Sequence, residues 1–167
     1  GAAVPTQGGV VVSFARMDRI LELRAADRCV VVEPGVLNGG LQQTLAPYGL
    51  FWPPDPSSAD LCSVGGNLAT NAGGPRAVKY GTARENVLGL RAVSGAGERL
   101  RCGSYTTKGV VGYDLTRLLV GSEGTLAVVT EATLRLLPQP EEKRTMRAAY
   151  ASVDAAVAAV ARIMRQP

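Results

Sequence analysis

Short apolar runs, interrupted by charged residues or by Pro-Gly, make up the first part of the chain. The runs are Val10–Phe14, Ile20–Arg24 and Cys29–Glu33, and the last one stops at Pro34-Gly35. They are rich in Val, Ile and Leu, which favour extended backbone, and each has the length of one strand. The pattern therefore predicts three strands of a small sheet.

A helical spacing follows, because Leu41 and Leu45 lie four residues apart and share one face of a helix. Asn38 precedes this pair, and Asn often caps a helix since its side chain accepts hydrogen bonds from free backbone N–H groups. Pro47 and Gly49 end the pattern. We predict a short helix capped by Asn38.

Strand patterns return in the second half of the chain and alternate with one helix pattern. A Ser-Gly-Ala-Gly turn joins the first two strand patterns, so they should form a hairpin. The predicted elements are a strand at Val87–Val93, its partner at Glu98–Arg101, a helix at Leu115–Leu119 capped by Asp114 and ended by Gly121, and a long strand at Leu126–Leu137.

The composition changes at Pro138–Lys143, which has the character of a linker. A strand at Arg144–Tyr150 and a helix that begins after Ser152 are predicted beyond it. One strand and one helix cannot bury the apolar stripe of that helix by themselves. We therefore expect residues 1–138 to form part of one domain and residues 139–167 to form a linker and the start of a truncated second domain. The stripe consists of Val153, Val157, Val160 and Met164.

The overall composition is that of a globular chain, with 46% hydrophobic and 19% charged residues among 167. The net charge of +4 comes from scattered basic residues, and only 5% of residues are aromatic, which argues against a nucleic-acid partner. Histidine is absent, which excludes Ser/His/Asp and Cys/His catalysis and imidazole zinc sites. Three widely spaced cysteines indicate a reduced, cytoplasmic protein, and no apolar run is long enough to cross a membrane.

Regular periodicity disappears from Phe51 to Gly81, where Gly, Pro, Ser and Asn dominate. A loop of this length inside a compact domain usually has a function. Glycine pairs, as in SVGGNLATNAGG (63–74), let backbone N–H groups approach a ligand closely. PDPSS (54–58) and GSEGT (121–125) offer hydroxyl groups and further glycines. The alternatives are a glycine-rich turn with Asn in left-handed backbone, and a helix end followed by an exposed carboxylate.

Five segments in this order resemble the FAD-binding domain of the vanillyl-alcohol oxidase and p-cresol methylhydroxylase type. Within that family the similarity is to the branch of the glycolate oxidase FAD subunit and D-lactate dehydrogenase. The segments are PDPSS (54–58), SVGGNLATNAGG (63–74), KYG (79–81), NVLGL (86–90) and KGVVGYDLTRLLVGSEGTLAVVTEATLRLLP (108–138).

The resemblance implies an α+β fold with non-covalent FAD held between two subdomains. Residues 1–138 would be the second subdomain, a mostly antiparallel sheet with flanking short helices. The N-terminal subdomain would be missing, with Gly1–Pro5 as the tail of its pyrophosphate loop. Residues 139–167 would contain the first βα unit of the substrate-binding domain. On its own, the chain is expected to be inactive and to bind FAD weakly or not at all.

The resemblance also assigns a cofactor role to residues of four loops and one strand. Ala127 replaces the glycine usual in its motif, and Arg76 stands where relatives often have the His or Cys of a covalent flavin link. The expected FAD-binding residues are Pro56, Ser57, Ser58, Gly65, Gly66, Asn67, Asn71, Gly73, Gly74, Tyr80, Gly81, Ser122, Glu123, Gly124, Val128 and Val129.

The function implied is oxidation of a 2-hydroxy acid, of the glycolate or D-lactate class, by hydride transfer to flavin N5. Electrons would leave to a quinone, a cytochrome or an electron-transfer flavoprotein, with partner subunits and peripheral membrane attachment as further expectations. No catalytic or metal-binding residue is expected in this chain. The alternatives are an FAD-dependent alcohol or sugar oxidase, a cell-wall precursor reductase of the same fold, and a folded module without catalytic activity.

Overall fold

The computed structural model describes residues 4–165, and its main feature is a five-stranded antiparallel sheet in the order β1-β2-β6-β4-β5. Strands β3 and β7 form a separate antiparallel pair. The elements in chain order are β1 Ile20–Arg24, β2 Cys29–Val32, α1 Asn38–Leu45, β3 Leu50–Phe51, α2 Val64–Ala69, α3 Ala77–Tyr80, β4 Val87–Ser94, β5 Arg99–Gly103, α4 Leu115–Leu119, β6 Ala127–Arg135, β7 Leu137–Pro138 and α5 Val153–Ile163.

The core lies between one face of this sheet and helices α1, α2 and α4. Every residue of β2 is buried, and β2 pairs with β1 on one side and β6 on the other. Alternate residues of the central strands, such as Leu90 and Leu134, meet Leu41 and Leu68 of the helices in one apolar cluster. The alternation of strand side chains thus places the helices on one face. The predicted α+β architecture, a mostly antiparallel sheet with flanking short helices, is confirmed.

Two predicted strands are wrong. Val10–Phe14 is irregular, and Val10 is 91% exposed. Arg144–Tyr150 is also not a strand, and Met146 in its middle is 92% exposed. Both segments have the composition of strands, but a strand needs a partner for its backbone groups. Within residues 4–165, neither segment is paired with the sheet.

Asn38 is the first residue of α1 and not its N-cap. The N-cap position belongs to Leu37, which makes no side-chain capping hydrogen bond. The buried Asn38 side chain instead donates from Nδ2 to the carbonyl oxygen of Pro54 at 3.0 Å and accepts from Gln42 Nε2 at 3.0 Å. Asn38 therefore connects α1 to the Pro-rich loop, which a capping rule based on local sequence could not show.

The remaining predicted elements are confirmed with small shifts. The β4-β5 hairpin is present, and Asp114 caps α4 by accepting a hydrogen bond from the Arg117 backbone N–H at 2.9 Å. The long strand is divided, since β6 ends at Arg135 and β7 pairs with β3. Helix α5 is capped by Ser152, and its apolar stripe is exposed, Val153 by 79%. Within residues 4–165, no helix has both the length and the apolar character needed to cross a bilayer.

Candidate cofactor site

Most of the predicted cofactor residues lie in two stretches, residues 54–84, which include α2, and residues 120–125. We call these two stretches together the loop layer. Part of the first stretch, predicted as a loop without regular structure, forms the short helices α2 and α3. Ser63 caps α2 by accepting a hydrogen bond from the Gly66 N–H at 3.1 Å. Val64 and Leu68, one helical turn apart, fix α2 in the core. That spacing after a Ser is a pattern from which α2 could have been predicted.

The two glycines at the start of α2 have different surroundings. A Cβ atom on Gly65 would lie 2.6 Å from Pro34 Cβ, and the Gly65 N–H donates to the Pro34 carbonyl at 2.8 Å. Gly65 therefore allows α2 to pack closely against the segment after β2. A Cβ on Gly66 would approach only Ser63 Oγ, and Gly66 is exposed. Of this pair, Gly66 is the one with steric room for a ligand, although its N–H donates to Ser63 Oγ and its carbonyl oxygen accepts from the Thr70 N–H.

The Pro-rich loop and the second glycine pair are in direct contact. Gly74 has a φ of +154°, and a Cβ there would lie 2.2 Å from the Asp55 carbonyl oxygen. Arg76 Nε lies 3.0 Å from Asp55 Oδ2, and the Arg76 N–H donates to Asp55 Oδ1 at 3.2 Å. Ser57 and Ser58 remain exposed beside this junction. The structure thus brings residues 54–58 and 73–76 together, as the cofactor prediction requires.

Asn71 joins the end of the α2 region to the segment after α3. Its backbone is left-handed, with a φ of 51°, which Asn tolerates better than most residues. Its Oδ1 accepts from Thr82 Oγ1 at 2.8 Å and from the Arg84 N–H at 2.9 Å. The alternative interpretation, in which Asn supplies left-handed backbone, is therefore correct for Asn71, and its side-chain oxygen has protein donors.

Tyr80 and Gly81 lead into a tight, hydrogen-bonded turn. The Tyr80 ring meets Phe51 edge to face, with 5.4 Å between ring centroids. Gly81 has a φ of +78°, and a Cβ there would collide with the Glu85 side chain. Thr82 and Glu85 form a capping box, and the hydrogen bond from the Thr82 side chain lowers the pKa of Glu85.

The side chain of the buried Asn86 hydrogen-bonds to the backbone of this turn. Its Nδ2 donates to the carbonyl oxygens of Tyr80 and Thr82 at 2.9 and 2.8 Å. The backbone carbonyl oxygen of Asn86 accepts a hydrogen bond from Trp52 Nε1 at 3.0 Å. Asn86 was missed as a site-forming residue because its contacts with Tyr80 and Trp52, 6 and 34 residues away, depend on the tertiary fold and not on a local pattern.

The turn at residues 121–124 rests on the C-terminal end of α2. The Gly121 N–H donates to the Leu68 carbonyl at 2.8 Å, and the Glu123 N–H donates to the Ala69 carbonyl at 2.9 Å. Glu123 is exposed and left-handed, with a φ of 52°. Its exposed carboxylate fits the alternative of a helix end as well as the cofactor role. The contact with α2 places Ser122 and Gly124 beside the SVGGNLATNAGG segment.

Val128 and Val129 lie in β6, opposite Val93 and Ala92 of β4. On the other side of β6, strand β2 is paired only from Ala132 onward. Among the described strands, none covers that side at residues 127–131, and since backbone groups alternate in direction along a strand, one of Val128 and Val129 can present its backbone groups to a ligand there. The structure therefore places these two residues at a free edge next to the 121–125 turn.

One buried polar atom tests whether this surface suits a cofactor. The Asn67 side chain is only 3% exposed, and its Nδ2 has no acceptor among the described residues. A buried amide without an acceptor costs free energy, so an external acceptor would relieve it. FAD carries ribose, phosphate and ring-carbonyl oxygens, and the neighbouring Gly66 leaves space for close approach. The residues present therefore fit an FAD-binding surface.

The loop layer forms an exposed wall, on which Ser57, Ser58, Gly66 and Glu123 are open to solvent. Two depressions on the described surface lie elsewhere, on the sheet face away from the core helices. The larger one is lined by residues that include Arg19, Glu33, Arg91 and Glu131. The geometry agrees with a ligand that is shared between this wall and a second surface.

Residues 1–103 match the family described as an FAD binding domain. The chain belongs to this FAD-binding domain family, and FAD is the cofactor that the family binds. The resemblance inferred from the motifs is thereby confirmed, whereas the role of each individual residue stays a prediction. Gly1–Ala3, predicted as the tail of a pyrophosphate loop, lie outside the described residues.

The chain is similar to glycolate oxidase subunit GlcD of Bacillus subtilis, with 46% identity over 164 residues, covering 98% of this chain and 35% of that protein. It is 43% identical to D-lactate dehydrogenase of Archaeoglobus fulgidus over 166 residues, covering 99% of this chain and 37% of that protein. Among solved structures, alkyldihydroxyacetonephosphate synthase superposes with a TM-score of 0.65 and 26% identity, over 77% of this chain and 23% of that one. The chain thus spans about a third of the curated relatives' length.

Proposed function

We propose that the chain forms one FAD-binding wall of an oxidoreductase that oxidises a 2-hydroxy acid. The observation that carries the proposal is the loop layer, in which the Asn67 amide is buried with no acceptor among the described residues, beside the exposed Gly66, which leaves steric room for a ligand. The hydroxy-acid class is supported by the similarity to a glycolate oxidase subunit and a D-lactate dehydrogenase, both of which extend well beyond this chain.

The chain's own residues would bind and orient the cofactor. Asn67 would donate a hydrogen bond to an oxygen of FAD, and Gly66 and Gly124 would allow close backbone approach. The exposed hydroxyl groups of Ser57 and Ser58 would add donors from the loop fixed by Asp55 and Arg76. When bound, FAD supplies an acceptor for hydride from the substrate carbon.

This chain, within residues 4–165, has no group to which we assign removal of the hydroxyl proton of a substrate. It has no histidine, and the Glu85 carboxylate is held by Thr82, which lowers the pKa of Glu85. A base for the substrate hydroxyl group has to lie within hydrogen-bond reach of that proton. We therefore assign the base and any metal ligand to a substrate-binding domain. Residues 1–138 would belong to the FAD-binding domain, and residues 139–167 would begin the next unit.

The test is anaerobic reduction of the flavin in the intact purified protein. Glycolate and D-lactate are added separately, and loss of the oxidised flavin absorbance is followed. We expect bleaching with at least one of them, and none with the L-enantiomer of lactate, a sugar or an aromatic alcohol. Bleaching only by the sugar or the aromatic alcohol would replace the hydroxy-acid proposal. Recovery of the protein without any affinity for FAD would remove the flavin proposal itself.

A further inference from the structure

Arg84 connects two turns of the loop layer that are distant in sequence. Its Nη2 donates to the Val120 carbonyl oxygen at 3.0 Å, directly before the 121–124 turn. Its backbone N–H donates to Asn71 Oδ1 at 2.9 Å. Side chain and backbone of one residue therefore hold the end of α4 and the Asn71 turn at a fixed separation.

Gly121 shows how closely the Arg84 side chain fits. A Cβ atom on Gly121 would lie 2.8 Å from Arg84 Nη2 and 3.2 Å from Asn71 Cβ, and Gly121 has a φ of +87°. The space that a side chain at position 121 would occupy is taken by the guanidinium and Asn71. The backbone conformation favours glycine at position 121, and a side chain there would displace the Arg84 guanidinium.

The guanidinium of Arg84 is tied to the fold by hydrogen bonding and not by an ion pair. Its Nε is buried and has no acceptor among the described residues, and the ion pairs found within residues 4–165 do not include it. A buried donor without an acceptor costs stability, so optimal folding alone does not account for arginine at this position. A planar, rigid donor that fixes the distance between two turns does account for it.

We propose that Arg84 is a positioning residue for FAD, which sets the 121–124 turn relative to the Asn71–Gly74 turn so that both reach the same cofactor. The proposal rests on the proposed flavin site. Arg84 itself acts through Val120 and Gly121, without touching FAD. Its replacement should therefore weaken FAD binding more than it weakens the protein without cofactor.

The experiment measures the FAD dissociation constant of the intact protein by quenching of flavin fluorescence, and the melting temperature of the apoprotein. Arg84→Met keeps much of the apolar stem and removes the donors. We expect it to raise the dissociation constant by about tenfold or more, with a smaller rise for Arg84→Lys. The control Arg99→Met changes an exposed arginine of β5, and its dissociation constant should stay within about twofold of wild type.

The two measurements separate positioning from a purely structural role. A purely structural role would lower the apoprotein melting temperature and leave the dissociation constant of the folded protein unchanged, which would overturn the proposal. If Arg84→Met does not fold, Arg84→Lys decides, and an unchanged dissociation constant would again overturn it. Wild-type protein that fails to bind FAD would remove the proposed function together with this inference, whereas binding by wild type and variants alike removes only the inference.

A double-mutant cycle tests the contact between Arg84 and Gly121. Gly121→Ala should weaken FAD binding, because the new methyl group displaces the guanidinium. In an Arg84→Ala background, Gly121→Ala should cost less, since only the strain of its backbone and the contact with Asn71 remain. A coupling between the two sites supports the proposal. Strictly independent effects on the dissociation constant would contradict it.

Discussion

The sheet and the loop layer of this protein are stabilised in different ways. In the sheet, β2 is buried along its whole length, and its apolar side chains pack with those of β4 and β6. In the loop layer, hydrogen bonds and ion pairs of single polar side chains connect the turns. Asn71 hydrogen-bonds to Thr82 and Arg84, Asn86 hydrogen-bonds to the 80–82 turn, and Asp55 forms an ion pair with Arg76. A hydrogen bond requires a particular geometry of donor and acceptor, whereas apolar burial does not depend on direction.

This difference separates stability from cofactor geometry. Substitutions in the sheet should change the free energy of unfolding and leave the cofactor surface of the folded protein intact. Substitutions in the loop layer should change that surface with a smaller effect on stability. Trp52 is one fully buried link between the regions, since its ring lies in the core cluster while its Nε1 donates to the backbone carbonyl of Asn86.

The largest expected effect is that of Leu134→Ala. Leu134 is fully buried in β6, between Val30 of β2 and Val87 of β4. Truncation leaves a cavity in a close-packed core and should lower the free energy of unfolding by about 3 kcal/mol, measured by urea denaturation. The FAD dissociation constant of the folded protein should remain within about twofold of wild type.

The matched control is Leu61→Ala, because Leu61 is 85% exposed. Its effect on the free energy of unfolding should stay within about 0.5 kcal/mol. A tenfold loss of FAD affinity in folded Leu134→Ala protein would break the separation between the sheet and the loop layer.

Gly74→Ala should have the next largest effect, and this effect is on the affinity for FAD. The added methyl group would overlap the Asp55 carbonyl and push residues 54–58 away from the second glycine pair. We expect an FAD dissociation constant raised by about tenfold, measured by fluorescence quenching on the intact protein. The physical cause is a displaced loop, so circular dichroism of the sheet should be unchanged.

Gly97→Ala is the control for strain at a left-handed glycine. Gly97 has a φ of +81° in the β4-β5 hairpin, and a Cβ there would have no neighbour within 4 Å. This variant should lose some stability and keep its FAD affinity. Equal FAD affinities for Gly74→Ala and Gly97→Ala would show that contact between the two loops is not needed for binding.

The same contrast explains how much could be predicted from the sequence. The strands from Ile20 to Val32, the β4-β5 hairpin and the caps Asp114 and Ser152 follow local rules of periodicity and capping, and they were predicted correctly. Val10–Phe14 failed because composition does not show whether a strand finds a partner.

The candidate site was predictable as a set of loops but not as a set of contacts. The motif resemblance indicated which segments belong together, and the structure joins 54–58 to 73–76 and α2 to 121–123. The contacts of Asn38 with Pro54, of Arg84 with Val120 and of Asn86 with Tyr80 span 16, 36 and 6 residues, separations that are not those of contacts along a helix or strand. Such contacts depend on the tertiary fold, and no local pattern encodes them.

The smallest expected effect concerns the ion pair between Arg19 and Glu33 in the sheet region. Glu33, whose side chain is 7% exposed, accepts from Arg19 Nη2 at 2.8 Å, from Arg19 Nε at 3.2 Å and from the Arg19 N–H at 2.9 Å. The hydrogen bonds from the Arg19 side chain hold the pKa of Glu33 below its ordinary value of 4.5. A lowered carboxyl pKa stabilises the folded state above that ordinary value, and the contribution is lost as the pH falls through the lowered pKa.

Arg19→Met should therefore reduce the free energy of unfolding at neutral pH, and its difference from wild type should shrink as the pH falls below 4.5, the ordinary pKa of Glu33. Urea denaturation from about pH 7 to about pH 3 measures this difference. Arg144→Met is the control, because Arg144 and Glu142 form an ion pair with both side chains mostly exposed, at 81% and 64%; exposed pairs contribute little to stability at any pH. The contrary outcome is a difference in the free energy of unfolding between wild type and Arg19→Met that is as large in acid as at neutral pH. It would mean that Arg19 stabilises the sheet through packing of its apolar stem, and that the sheet relies on apolar contact even at the Arg19–Glu33 pair.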